Sequence, residues 1–200
     1  MKKEGLAQKK KEKNMQLIMH DALHYFEKNG YDNTTVEQLC EAAMISQSTF
    51  FNYFGNKEKV VRMIMEDGLN DYEKYVETAL KKDEDPFKIL EDCLDFQVNV
   101  TEKYCNITSV FHRLAFQNEI FRELEAKYNK VTADLIEGTF KRAGCECPID
   151  REALEDFVGG YFVEPYLILP HDQIGDRLRK TTNVFISLMR NFSNMRNKQV

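Results

Sequence analysis

Between Thr34 and Lys57 the chain gathers side chains suited to touching a nucleic acid rather than to breaking bonds. Gln47 and Asn52 carry paired donor and acceptor groups of the kind that read adenine edges. Ser48 and Thr49 are small enough for close approach to a base or to a thymine methyl. Tyr53 and Lys57 have the reach and polarity to meet phosphates, as do backbone N–H groups at a helix start capped by Thr34 or Thr35. Reaction chemistry has no comparable foothold. The chain lacks a nucleophile–base pair, a phosphate loop and a Glu-x-x-His motif, so an enzyme built on a helical bundle is the weaker reading. No cofactor is implied, and no metal either. Cys145 and Cys147 form the closest cysteine pair but have no second pair or histidine at zinc-site spacing.

The elements that must position these groups follow from local signals. Gly30 comes just after an apolar helical stripe of Ile18, Ala22 and Phe26, where glycine supplies a left-handed stop. Thr34 or Thr35 then caps the next helix, and Thr34-x-x-Glu37 and Thr35-x-x-Gln38 both fit a capping box. Val36, Leu39, Cys40 and Ala43 give that helix its inner face. Met44-Ile45 make a short turn with Ile45 directed inward, and Ser46 caps a third helix held by Thr49, Phe50 and Phe54. Two helices joined by so short a turn make a helix-turn-helix, whose second helix enters the DNA major groove.

These residues carry a family resemblance. Gly30-Tyr31, Thr34-Thr35-Val36, Leu39, Ala42-Ala43, Ile45-Ser46, Thr49-Phe50-Phe51, Tyr53-Phe54 and Lys57-Glu58 resemble the tetracycline-repressor (TetR) family of bacterial transcriptional regulators over residues 14–60. Three positions depart from the family pattern. Met44 replaces the usual turn glycine, Gln47-Ser48 replace a basic residue and glycine, and Phe50-Phe51 replace Leu-Tyr. Phe51 therefore lacks a hydroxyl that often touches phosphate, although its place keeps it, with Ser46, among the candidate DNA contacts. The resemblance implies a homodimer of nine-helix subunits on a pseudo-palindromic operator, with a larger C-terminal domain that senses a small molecule. The reading is a ligand-released repressor. A DNA-binding dimer without a ligand, or a regulator responding to oxidation of Cys145 and Cys147, is the alternative.

Composition agrees with part of this. The 200 residues are 42% hydrophobic and 30% charged, enough for a core without metal or disulfide staples. The formal charge of −5 argues against a general polyanion binder, but it is unevenly spread. Residues 1–60 hold nine basic against eight acidic side chains, and 61–200 hold nineteen against twenty-five. Six lysines lie within residues 1–13. No window nears the roughly 18 apolar residues of a membrane helix, and no apolar run follows the basic start. A cytoplasmic address without membrane contact is expected, with five free thiols.

Nine glycines and four prolines are too few for the turns of an all-β chain. Apolar spacing predicts an all-α fold, with helices near 14–29, 35–43, 47–53, 57–81, 87–104, 107–117, 119–143, 151–169 and 173–194. The expected organisation is a flexible lysine-rich arm over 1–13, a DNA-binding domain over 14–60, and a sensing and dimerising domain over 61–200. The 57–81 helix belongs to both domains and is the expected lever, with Gly68 as its weak point. In the C-terminal part, Phe96, Tyr104, Phe111, His112, Phe116, Tyr128, Tyr161 and Glu164 are the candidate lining of an apolar or aromatic effector pocket. Gly159-Gly160 inside a helix implies a close helix crossing. Phe157, Val158, Tyr161, Phe185, Leu188, Met189 and Phe192 form stripes wide enough for a twofold interface.

Overall fold

The computed structural model describes residues 2–196. Among them are nine helices and no strand: α1 Lys2–Asn29, α2 Val36–Ala42, α3 Gln47–Tyr53, α4 Lys57–Ala79, α5 Pro86–Lys103, α6 Cys105–Gln117, α7 Glu119–Arg142, α8 Arg151–Ile168 and α9 His171–Arg196. The all-α expectation holds, and eight of the nine helices begin and end within a few residues of their predicted places. The first does not. Residues 2–13 continue α1 without a break instead of forming a separate arm. Their Lys, Gln and Glu are good helix formers, and Gln8 Nε2 donates to Glu12 Oε1 at 2.9 Å one turn on.

The chain divides into two compact units. The first holds the residues up to Asp67 together with Asn106–Phe111, so the division falls inside α4 rather than at residue 60. Its core consists of Ile18, Ala22 and Phe26 of α1, Leu39 and Cys40 of α2, Phe50 and Phe54 around α3, and Val60 and Val61 of α4. Gly30 closes α1 at φ +81°, with its N–H on Phe26 O at 3.0 Å. The start of α6 is fastened to the end of α1. The Glu27 carboxylate accepts from the N–H groups of Asn106 (3.2 Å) and Ile107 (2.7 Å), and Asn106 Nδ2 donates to Glu27 O at 2.8 Å. Like α4, α6 therefore contributes residues to both units.

In the second unit α5 lies along α9 and α7 along α8, with further packing of α5 on α7 and α8 on α9. Leu90, Leu94, Val98, Leu135, Ile136, Phe140, Leu154, Val158, Ile174 and Leu178 are buried in one continuous core. The Cys93 thiol lies in that core, and burial together with the Asp92 carboxylate pushes it up to about 11. Arg151 at the start of α8 reaches Asp134 (2.6 Å) and Glu137 (2.8 Å) of α7 and Glu155 of its own helix (2.5 Å). Arg142 donates to Leu80 O and Lys82 O at 2.6 and 2.7 Å, closing the carbonyl end of α4. Only half of the glycine pair serves a crossing within the protomer. A Cβ on Gly159 would lie 2.8 Å from Asn129 Nδ2, whereas one on Gly160 would meet nothing within 4 Å.

Candidate nucleic-acid interface

The helix-turn-helix is built from three caps. Thr35 makes the capping box: Gln38 N–H donates to Thr35 Oγ1 (3.2 Å), and Thr35 N–H donates to Gln38 Oε1 (2.8 Å). At the other end of α2, Ile45 N–H reaches back to Cys40 O at 2.9 Å and Met44 N–H to Glu41 O at 3.2 Å. This is the helix stop that normally takes glycine, and here it places Met44 at φ +51° with its side chain 92% exposed. A left-handed backbone costs a non-glycine residue about 1–2 kcal/mol, so the turn forms against its own local preference. Ser46 then caps α3. Its Oγ accepts from Thr49 N–H at 3.1 Å and lies 2.9 Å from Thr49 Oγ1. These two hydroxyls are committed to starting the helix.

Phe50 anchors α3 from within. It is fully buried, with its ring 5.2 Å from that of Phe54 and edge-on to Phe51 at 5.7 Å. Phe50 points inward, while Gln47, Ser48, Phe51 and Asn52 are all exposed. Gln47 is not a loose amide. Its Nε2 donates to Glu37 Oε1 of α2 at 3.1 Å. Tyr53 is half-buried, with the Lys11 ammonium 5.4 Å above its ring.

Two of the expected DNA contacts have partners within the protein. Thr34 is 1% exposed and its Oγ1 donates to Gly30 O at 2.8 Å, so its hydroxyl secures the turn after α1 instead of facing outward. Thr35 alone caps α2. Lys57 turns inward as well. Its Nζ donates to Tyr31 O (2.7 Å) and Thr34 O (2.8 Å) and lies 4.1 Å from the Tyr31 ring centre. The ammonium closes the 31–34 turn, because carbonyls freed by a helix end attract a cation.

Residues 18–64 match the model of the bacterial regulatory proteins, tetR family. Over these residues the chain is similar to the helix-turn-helix domain of the TetR family. The HTH-type transcriptional regulator TcmR of Streptomyces glaucescens is 41% identical over 56 residues, covering 28% of this chain and 25% of TcmR. The biofilm operon icaADBC negative transcriptional regulator IcaR of Staphylococcus epidermidis is 24% identical over 93 residues, 45% of this chain and 49% of IcaR. The chain thus spans half or less of the length of these curated relatives. Solved TetR-fold structures extend the likeness to the second unit. FadR of Bacillus subtilis, in complex with stearoyl-CoA, has a TM-score of 0.66 at 15% identity over 86% of this chain and 95% of FadR. AibR, in complex with isovaleryl coenzyme A and operator DNA, has 0.56 at 19% identity over 84% of this chain and 97% of AibR. At such identities the agreement is one of fold.

The second unit does not bring the eight expected pocket residues together. A half-open apolar recess of about 240 Å³, counting space open to solvent, is lined by Leu94, Thr132, Ile136, Phe157, Val158, Tyr161, Phe162 and Phe185. Of the expected set only Tyr161 is there. Its hydroxyl contacts Thr182 Oγ1 and donates to Leu178 O at 2.8 Å. Phe96 is stacked on Tyr75 at 4.1 Å, and Tyr104 forms the junction between α5 and α6. Phe111 belongs to the first unit, while Phe116 and Glu164 are exposed. The Tyr128 phenol is pushed upward by burial, and a Cβ on Gly68 would lie 3.0 Å from its oxygen. His112 is buried, with Nδ1 2.6 Å from Glu125 Oε1 and its ring 5.0 Å from that of Tyr166. An apolar helix stripe reports that a residue is large and inward, but not which void it borders. No local signal could have announced which of these residues border the recess.

The α8–α9 stripes are also corrected in part. Val158 and Phe185 are buried in the protomer's own core, and Tyr161, Met189 and Phe192 pack against it. The outward apolar residues are Phe157, Leu167 and Ile168 of α8 and Val184, Leu188 and Met195 of α9. Val184, Leu188 and Met195 follow one another at i, i+4 and i+11, a single face of α9 of which the stripe reading named only Leu188. Burial pushes the Cys147 thiol up, which is the opposite of an activated thiolate. Among the described residues no helix is long and apolar enough to cross a membrane.

Proposed function

We propose that this chain is a homodimeric transcriptional repressor that reads operator DNA with α3 and leaves it when a small molecule binds the second unit. The observation that carries the reading is the outward face of α3. A helix of seven residues, fixed by caps at its start and by Phe50 inside, holds Gln47, Ser48, Phe51 and Asn52 in the open. The match of residues 18–64 to the tetR family model supports DNA as the partner, and the similarity to the negative regulator IcaR supports repression as its outcome. Lys9, Lys10 and Lys13, exposed on α1, add charge that phosphates would neutralise.

Dimerisation rests on the exposed Phe157, Val184, Leu188 and Met195, an apolar face of α8 and α9. Gly160, which has open space in the protomer, lies on the outer side of α8 near Phe157, where a partner helix could approach closely. The effector is proposed to be largely apolar, with an acyl chain or aromatic ring that enters at the Phe157–Tyr161–Phe185 recess. FadR bound to stearoyl-CoA and AibR bound to isovaleryl coenzyme A favour an acyl thioester. Release then requires only that ligand and operator prefer different arrangements of the subunits.

One observation favours the reading without a ligand. The recess encloses only about 10 Å³, room for about one water, far below the roughly 300–1,000 Å³ of ordinary ligand sites. Selection of bound duplexes from fragmented genomic DNA tests the DNA reading, and an enriched inverted repeat is expected. Titrating acyl-CoA esters of increasing chain length into that complex tests the sensor. Chain-length-dependent release supports it, and unchanged binding across the series supports the ligand-independent dimer.

A further inference from the structure

Gln47 is held by Glu37, a residue of the preceding helix that the motif does not count among its DNA contacts. The carboxylate only accepts hydrogen bonds, so the amide nitrogen of Gln47, not its oxygen, must face Glu37 Oε1, and it does so at 3.1 Å. Both side chains are exposed, and they lie ten residues apart in sequence, one on each helix of the motif. A glutamine reads adenine in two bonds: its oxygen accepts from the N6 amino group and one of its two N–H groups donates to N7. The second N–H is left over, and Glu37 engages one of the two. An unheld amide can rotate by 180° about its last bond and offer donors where the oxygen had been. Guanine, with acceptors at both O6 and N7, would then compete.

The geometry points to Glu37 as a positioning residue that locks the Gln47 carboxamide in its adenine-reading orientation, so that operator specificity at that position belongs to the pair. The inference rests on the proposal that α3 reads DNA, and it adds that a carboxylate beside the phosphates is tolerated for specificity. A negative charge there lowers general affinity, so the arrangement trades attraction for discrimination.

The test is selection from a randomised duplex DNA library with the full chain and its Glu37→Ala, Glu37→Gln, Gln47→Ala and Glu37→Ala/Gln47→Ala variants. For the unmodified chain we expect one position per half-site where adenine is preferred roughly tenfold or more, the discrimination of a good bidentate pair. Glu37→Ala should collapse that preference to within about twofold of guanine while leaving other positions intact and raising binding to random duplex. Glu37→Gln keeps an acceptor and should restore the preference. The double variant should match Gln47→Ala at that position, as coupled residues do. Glu37 is exposed, and unchanged thermal melting of its variants would exclude misfolding. If Glu37→Ala keeps the preference that Gln47→Ala loses, the inference is overturned. Failure of Glu37→Gln to restore it, or loss of preference at every position alike, overturns it too, by assigning Glu37 to charge or to fold. If the unmodified chain enriches no sequence, the DNA reading itself falls, an outcome distinct from these.

Discussion

The two helix pairs on which the proposed function rests, α2–α3 and α8–α9, are specified in different ways. In the first, local chemistry fixes nearly every residue's duty: Thr35 and Ser46 start helices, Met44 stops one, and Phe50 points in. In the second, long apolar stripes define the helices but not their duties. Val158 and Phe185 are spent on the protomer's own core, while Val184 and Leu188 of the same surface stand 58% exposed. A short motif with caps can be read residue by residue. A bundle helix can be read only as a face, because what covers the face is decided by distant segments.

The sharpest way to break this contrast is at α9. Leu188→Glu combined with Val184→Glu should convert the dimer to monomers and abolish operator binding, since burying unpaired charges costs about 3–5 kcal/mol per broken site. Helix content should be unchanged, because both side chains point outward. Sedimentation measures the assembly state, and a persisting dimer would remove the face from the interface. If Phe185→Glu dissociated the dimer while leaving each subunit folded, the division between core and outer residues would be wrong instead.

A middle-sized effect separates structure from recognition in the first unit. Lys57→Met should lower stability by about 1–3 kcal/mol in urea unfolding, because two carbonyls lose a charged donor. The salt dependence of DNA binding should keep its slope. A chain of normal stability whose salt slope falls by about one would restore Lys57 to the phosphate contacts.

The smallest effects have opposite chemistry in the two regions. Met44→Gly should stabilise by about 1 kcal/mol, because φ +51° costs glycine nothing. Gly160→Ala should stabilise the charge-substituted monomer by up to about 1 kcal/mol through helix propensity, since its Cβ would meet open space. In the dimer the same change should stabilise less, or destabilise, if a partner helix lies against Gly160. Thermal melts of both backgrounds measure the difference.

What the sequence could show follows the same line. Periodicity and sparse prolines placed nine helices, and capping patterns gave the motif its register. Residues 2–13 escaped because a lysine-rich stretch reads equally well as an arm or as the solvated turns of a helix, and the Lys11–Tyr53 contact that distinguishes them is long-range. Lys57 escaped for a related reason. A lysine near a DNA-reading helix looks like a phosphate ligand until the carbonyls of Tyr31 and Thr34 are seen beneath it. The Glu27 clasp on α6 and the Glu37–Gln47 bond join residues 79 and ten positions apart, and no local pattern announces either. The expected pocket dispersed because eight large residues on several helices share no sequence signal for a common void.

The central claim is that two copies of α3 read successive major grooves. Chemical footprinting of the full chain on its selected duplex measures this most directly. The account predicts two protected half-sites in inverted orientation, centred about 34–36 Å or a multiple of one helical turn apart, bound by two or more chains in even number. A single unpaired half-site, or equal protection of any sequence, would contradict it.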